Sequence, residues 1–128
     1  MNNGMVRLLV VDDEPIIGKR LRQVFSKMGF EIETYTEATA AMAAMAAKPF
    51  DIVVTDLKMD GMDGMEVLRR VRIMNPHTQV IIITGYASSE TAELARRQGV
   101  FEFLAKPFRL DDLKQVIVRA LEYQRGVH

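Results

Sequence analysis

The segment Asp51-Ile52-Val53-Val54-Thr55-Asp56-Leu57-Lys58 is a short, β-branched apolar run that stops abruptly at a carboxylate. Such a run reads as a strand buried on both faces, the pattern of a parallel sheet. A strand core cannot solvate a charge, so Asp56 belongs at the strand's end, on the sheet edge where ligands bind in open α/β folds. Taken alone, an acid in that place is more often a turn residue. Its meaning depends on what the other strands end in.

Upstream, Arg7-Leu8-Leu9-Val10-Val11 is a second continuous apolar run, and it ends in Asp12-Asp13-Glu14-Pro15. Pro15 suits the first position of a helix, and acids just before it favour the helix's positive end. Ile17, Leu21, Val24, Phe25 and Met28 follow at helical spacing, with Gly29 as the stop. Glu31-Ile32-Glu33-Thr34-Tyr35 alternates as an edge strand does, Thr36 is a candidate cap, and an alanine-rich helix from Ala38 to Lys48 closes at Pro49. Downstream, the turn-rich loop Lys58 to Gly64 precedes a helix carrying Val67, Leu68 and Val71 on one face and halted at Asn75-Pro76. Val80-Ile81-Ile82-Ile83 is a third fully apolar strand, ending in Thr84-Gly85. Ser88 caps the next helix, which ends in Arg96-Arg97-Gln98-Gly99. Phe101 to Ala105 reads as a second edge strand ending in Lys106-Pro107. A last helix then buries Leu110, Leu113, Ile117, Ala120 and Leu121, with Asp111 and Asp112 in its first turn.

Strands and helices thus alternate strictly. That predicts an α/β fold, a doubly wound parallel sheet of five strands with five helices on its two faces and right-handed crossovers. No internal repeat, linker or low-complexity tract interrupts residues 5–125, so a single domain is expected, with a few frayed residues at each end. At 128 residues the chain can bury a real core. Its formal net charge is zero, so nothing global favours nucleic acid or an anionic membrane. It contains no cysteine, which excludes disulfides, thiolate metal sites and cysteine nucleophiles. The first five residues lack the pattern of a signal peptide, and no apolar run is long enough to span a bilayer, so a cytoplasmic location is expected.

Parallel strands place their C-terminal ends on one edge. Asp12 and Asp13, Asp56, Thr84 and Lys106 therefore converge on one mouth. Carboxylates a few ångströms apart repel by about 1 kcal/mol per pair even in water, and more when partly buried. Lys106 offsets part of that repulsion, and a hard divalent cation would offset most of the rest. Oxygen-only ligands point to Mg2+ or Mn2+. A metal beside an ammonium and a hydroxyl makes a pocket for a phosphoryl group, with Asp56 as a candidate nucleophile.

These residues together, Val10-Val11-Asp12-Asp13-Glu14-Pro15, Asp51 to Asp56, Met62-Asp63-Gly64, Ile83-Thr84-Gly85 and Lys106-Pro107-Phe108, resemble the receiver domain of two-component response regulators over essentially the whole chain. The resemblance implies a flavodoxin-like sheet of strand order 2-1-3-4-5. It also implies that Asp56 accepts a phosphoryl group from a histidine kinase or phosphotransfer protein. Asp13, Asp56 and the Lys58 backbone carbonyl would ligate the metal, with Asp12 acting through water; Thr84 and Lys106 would bind phosphoryl oxygens. Phe103 takes the place of the switch aromatic, and the Lys106-Pro107 bond is cis. The face of the fourth helix, fifth strand and fifth helix would engage an effector or a second copy. The domain itself would contact neither nucleic acid nor membrane, and would turn over no external substrate.

Three positions depart from the family or vary within it. Asp60 stands where proline is common, which adds negative charge beside the metal and should loosen the loop. Lys58 and Tyr86 sit where the family tunes phosphoryl loss, and both are long enough to crowd an attacking water. Four readings stay open: a stand-alone switch, the receiver piece of a longer regulator, a degenerate scaffold, and a Mg2+-dependent phosphohydrolase with Asp56 as nucleophile. Enzymes of the last kind commonly carry a second acid two residues after the nucleophile, where this chain has Lys58.

Overall fold

The computed structural model describes residues 5–126. The expectations about the first four residues and about fraying at the extreme termini lie outside the described residues. Five strands alternate with five helices: β1 Arg7–Val11, α1 Pro15–Lys27, β2 Glu31–Tyr35, α2 Ala38–Ala47, β3 Ile52–Asp56, α3 Gly64–Met74, β4 Gln79–Thr84, α4 Ser89–Arg97, β5 Glu102–Ala105 and α5 Leu110–Gln124. All pairings are parallel, in the order β2-β1-β3-β4-β5. The resemblance implied this order, and burial follows it: β3 and β4 are buried throughout, while β2 and β5 are mostly half-exposed.

Side chains alternate across a strand, so each strand serves two cores. Leu9, Val11, Val53, Val80 and Ile82 face α2 and α3 through Met42, Met45, Val67, Leu68 and Val71. Leu8, Val10, Ile52, Val54, Ile81 and Ile83 face α1 and α5 through Leu21, Phe25, Leu113 and Ile117. The fourth helix is different. In α4 only Ala95 is buried, and Leu94 is 47% exposed.

Several local expectations are corrected. Thr36 does not cap α2; Glu37 is its N-cap residue and makes no side-chain cap bond. That helix ends at Ala47, one residue before Lys48. Asp51 and Phe101 fall just outside β3 and β5. Asp51 instead accepts the Arg7 backbone N–H at 2.8 Å, which ties the start of β3 to β1. Gly29 stops α1 at a φ of +87°, and Lys106-Pro107 is cis.

Gly64 at the start of α3 is required by close approach. A Cβ there would drive into the Asp56 carbonyl oxygen and lie 2.8 Å from the Leu57 Cα, both backbone atoms. Its N–H donates to the Leu57 carbonyl at 2.8 Å, so α3 begins pressed against the end of β3. Gly64→Ala should therefore destabilise the fold by about 3 kcal/mol, the upper range for forcing one extra methyl group into packed structure. Urea unfolding reads this directly; a midpoint unchanged from the parent would show that the β3 end yields freely.

Candidate functional site

The register explains how the charged groups meet. Val11 pairs with Thr55, Asp56 with Ile83, and Thr84 with Ala105, so Asp12, Asp56, Thr84 and Lys106 all stand at or just past the ends of adjacent strands. Each strand is locked by apolar packing below that edge. The Asp12 N–H donates to the Tyr35 carbonyl at 3.0 Å, and the Leu57 N–H to the Ile83 carbonyl at 3.0 Å, continuing the sheet's bonding beyond the strands.

Carboxylate oxygens of Asp12, Asp13 and Asp56 lie within 4.8 Å of one another. Asp12 is 2% exposed and Asp56 6%, whereas Asp13 is exposed. The Lys106 ammonium donates to Asp12 Oδ2 at 3.1 Å, to Asp56 Oδ2 at 3.3 Å and to Glu14 Oε1 at 3.3 Å. Burial, the largest influence, pushes the Asp12 carboxyl above its ordinary value of 3.8; the Asp56 charge adds to it, and bonds from the Glu14 N–H and Lys106 only partly oppose it. Burial also works against the charge on Lys106. The bond and charge of Asp12, the charge of Asp56 and the Glu14 bond outweigh it and hold the ammonium above its ordinary value. The two shifts differ in origin: burial dominates at Asp12, whereas at Lys106 the surrounding acids together outweigh burial.

A cleft of about 680 Å³ opens over these groups, lined by Asp13, Glu14, Asp56, Lys58, Met59, Asp60, Gly85, Tyr86 and Lys106. The Lys58 ammonium lies 5.8 Å from the centroid of the Tyr86 ring, so the two side chains meet across the mouth. Thr84 is fully buried, and its hydroxyl oxygen accepts the Tyr86 N–H at 2.9 Å, leaving the hydroxyl proton free to donate elsewhere. Phe103 is half-buried against the core shared with α2 and α3 and does not line the cleft. The structure thus brings Asp12, Asp13, Asp56 and Lys106 into one cluster. It sets Thr84 immediately behind them and leaves Phe103 to one side.

Sequence reasoning overlooked two groups. Glu14 enters the sequence reading for its place before a helix and within the Val10 to Pro15 motif, with no role of its own, yet its side chain joins Lys106. Asp63 accepts the Glu66 N–H at 3.0 Å and caps α3, a role visible in the Asp-x-x-Glu spacing of a capping box.

Residues 8–118 match the family described as Response regulator receiver domain. The chain belongs to that family. This receiver domain is 38% identical over 118 residues to the regulatory protein AtoC of Escherichia coli, covering 92% of the present chain and 26% of AtoC. It therefore spans about a quarter of the length of such curated relatives. Among solved structures, a receiver domain protein from Clostridium thermocellum superposes with a TM-score of 0.88 at 32% identity, covering 97% of this chain and 100% of that one. A CheY-like receiver domain protein from Methanospirillum hungatei gives 0.92 at 28% identity, covering 98% and 100%. No helix of this receiver, among the described residues, is long and apolar enough to cross a membrane.

The pKa of Asp12 sets a testable sign. Its folded value is raised, so ionised Asp12 weakens the fold. The penalty is absent below the ordinary value of 3.8, where folded and unfolded chains both hold the proton, and grows as pH rises from there through the folded value. In EDTA at pH 7, Asp12→Asn should raise stability by about 1 kcal/mol, the scale of one like-charge pair at this separation. The gain should fade as pH falls from the folded value towards 3.8 and be absent below it. Urea midpoints across that range check it, and a less stable Asn variant at pH 7 would mean that Asp12 gains more from Lys106 than it loses by burial.

Proposed function

We propose that this receiver domain is a phosphorylation-controlled switch in which Asp56 is the phosphoacceptor. The observation that carries the reading is the Lys106 ammonium held against Asp56 and Asp12, where Asp13 completes an oxygen-only cluster. A carboxylate oxygen of Asp56 attacks the phosphorus of a phosphohistidine; the bond from phosphorus to the donor's imidazole nitrogen breaks, and its electron pair stays on the imidazole. Asp13, Asp56 and the Lys58 backbone carbonyl, with Asp12 acting through water, would hold Mg2+, with Mn2+ as the substitute. The cluster's carboxylate oxygens, free of nitrogen and sulfur, suit such a hard ion. When bound, the ion supplies positive charge that offsets the carboxylates and the phosphoryl oxygens.

The remaining steps belong to the chain itself. Lys106 donates to a phosphoryl oxygen, and the free proton of the Thr84 hydroxyl donates to another. Phosphorylation adds roughly −1.5 to −2 charges at Asp56. That charge draws on the ends of β4 and β5, which are hydrogen-bonded neighbours: the Lys106 N–H donates to the Thr84 carbonyl at 2.7 Å. Phe103, on β5 beside them, turns inward as Thr84 moves, and the α4-β5-α5 face changes shape. The equilibrium shifts only by as much as the phosphoryl group favours the second arrangement.

Residues 5–125 form the switching unit. Upstream stands a histidine kinase or phosphotransfer protein; downstream, an effector protein or an attached effector domain, since the curated relatives are about four times longer. The α4-β5-α5 face also serves dimerisation. The unit works in the cytoplasm, binds neither nucleic acid nor membrane itself, and catalyses only its own phosphorylation and dephosphorylation.

Incubation with acetyl phosphate and Mg2+, followed by intact mass, should add one phosphoryl group per chain. Asp56→Asn should add none. A folded, metal-replete parent that gains no mass would refute the assignment, and sustained multiple turnover of a phosphate ester would favour a hydrolase. Because Lys58 and Tyr86 meet over the cleft, they shield the acyl phosphate from in-line water. Lys58→Ala and Tyr86→Ala should each shorten its half-life severalfold in a mass-spectrometric decay course; unchanged decay in both would remove the shielding role.

A further inference from the structure

We infer that Glu14 is a resting-state tether of Lys106, a carboxylate that holds a donor position on the ammonium until a phosphoryl oxygen displaces it. The inference rests on Asp56 being the phosphoacceptor and concerns how that site is regulated.

An ammonium has three N–H donors and no more. In this structure they are matched by three carboxylate oxygens, those of Asp12, Asp56 and Glu14, at 3.1, 3.3 and 3.3 Å. These separations exceed the 2.7–2.9 Å of strong charge-assisted bonds, as expected when one cation is shared three ways. A phosphoryl group on Asp56 brings new oxygens to the same ammonium, so Lys106 must release a present partner to bind one. The partners are not equal. The Asp12 side chain is 1% exposed, and a buried carboxylate stripped of its cation is heavily penalised. Asp56 carries the phosphoryl group and cannot leave. The Glu14 side chain is 63% exposed and returns to water at little cost. Glu14 is therefore the partner that yields.

The backbone around Glu14 supports a role in the site over one in the fold. Glu14 is the N-cap residue of α1, yet its side chain makes no cap bond. Its backbone N–H donates to Asp12 Oδ1 at 2.9 Å, which leaves the side chain to lean over the cleft and onto Lys106. In that position it opposes phosphorylation twice. It competes for the ammonium, and it presents a negative charge to an anionic donor. Asp13 and Asp60 line the same cleft and add to the second effect only, because neither is bonded to Lys106.

The test separates the two effects by side-chain length. Glu14→Gln removes the charge. Glu14→Asp keeps the charge but, one methylene shorter, withdraws from Lys106. With acetyl phosphate at saturating Mg2+, the second-order rate of phosphorylation should rise about fivefold in Glu14→Gln, the scale of one removed like charge at close range. The gain should shrink as salt is added. Glu14→Asp should rise as well, by a smaller factor. Melting temperatures in EDTA should stay within about 2 °C of the parent in both variants, as for loss of an exposed ion pair. A parental rate in Glu14→Asp would leave charge repulsion alone and overturn the tether. So would a slower rate in either variant, or a melting temperature that falls well beyond that range. If the parent chain itself takes up no phosphoryl group, the phosphoacceptor reading fails first and the inference falls with it.

Discussion

One ammonium shared among three carboxylates is the interaction on which this receiver turns. Lys106 reaches Asp12 across 94 positions of chain and Asp56 across 50. Nothing local brings them together. They meet because a parallel sheet delivers every strand's C-terminal end to one edge, and because the strands beneath are clamped between two apolar cores. The site is not what stabilises the fold. Asp12 is held above its ordinary pKa by burial, so the acid cluster is tolerated where the packing below over-determines it.

Much of this was legible in the chain. Runs such as Val80 to Ile83 read as doubly buried strands, and β3 and β4 are buried at every position. Once the strands are parallel, the convergence of Asp12, Asp56 and Lys106 follows from topology. Contacts decided by exact distance were less legible. Thr36 has the chemistry of a cap, but the chain enters α2 one residue later, and capping depends on a single φ/ψ pair. Gly64 reads as one turn residue among several; that it meets the Asp56 carbonyl depends on where α3 docks. Glu14 lies 92 residues from Lys106, and its neighbours Asp12 and Asp13 already account for the local chemistry. Long-range partnerships of exposed side chains leave no periodicity to find.

The electrostatics divide the site's residues by how freely they can move. Buried groups, Asp12 and Thr84 among them, are fixed by hydrogen bonds to the Glu14 and Tyr86 N–H groups. Exposed groups, Glu14, Lys58 and Tyr86, meet their partners at the mouth, where water can replace them. The buried set holds the geometry in which the proposed chemistry would happen. The exposed set, in the proposed function, would control access to it.

The thin attachment of α4 has a mechanical consequence. Four helices are pinned by rows of buried side chains, but α4 rests on Ala95 alone among its residues. A load applied at the end of β4 distributes itself according to stiffness, and the sheet with its four well-seated helices behaves as a rigid chassis. Deformation therefore concentrates in the compliant member. Were phosphorylation to tug on Thr84 as proposed, the inequality of packing alone would gear that pull into the travel of one helix on the outer surface.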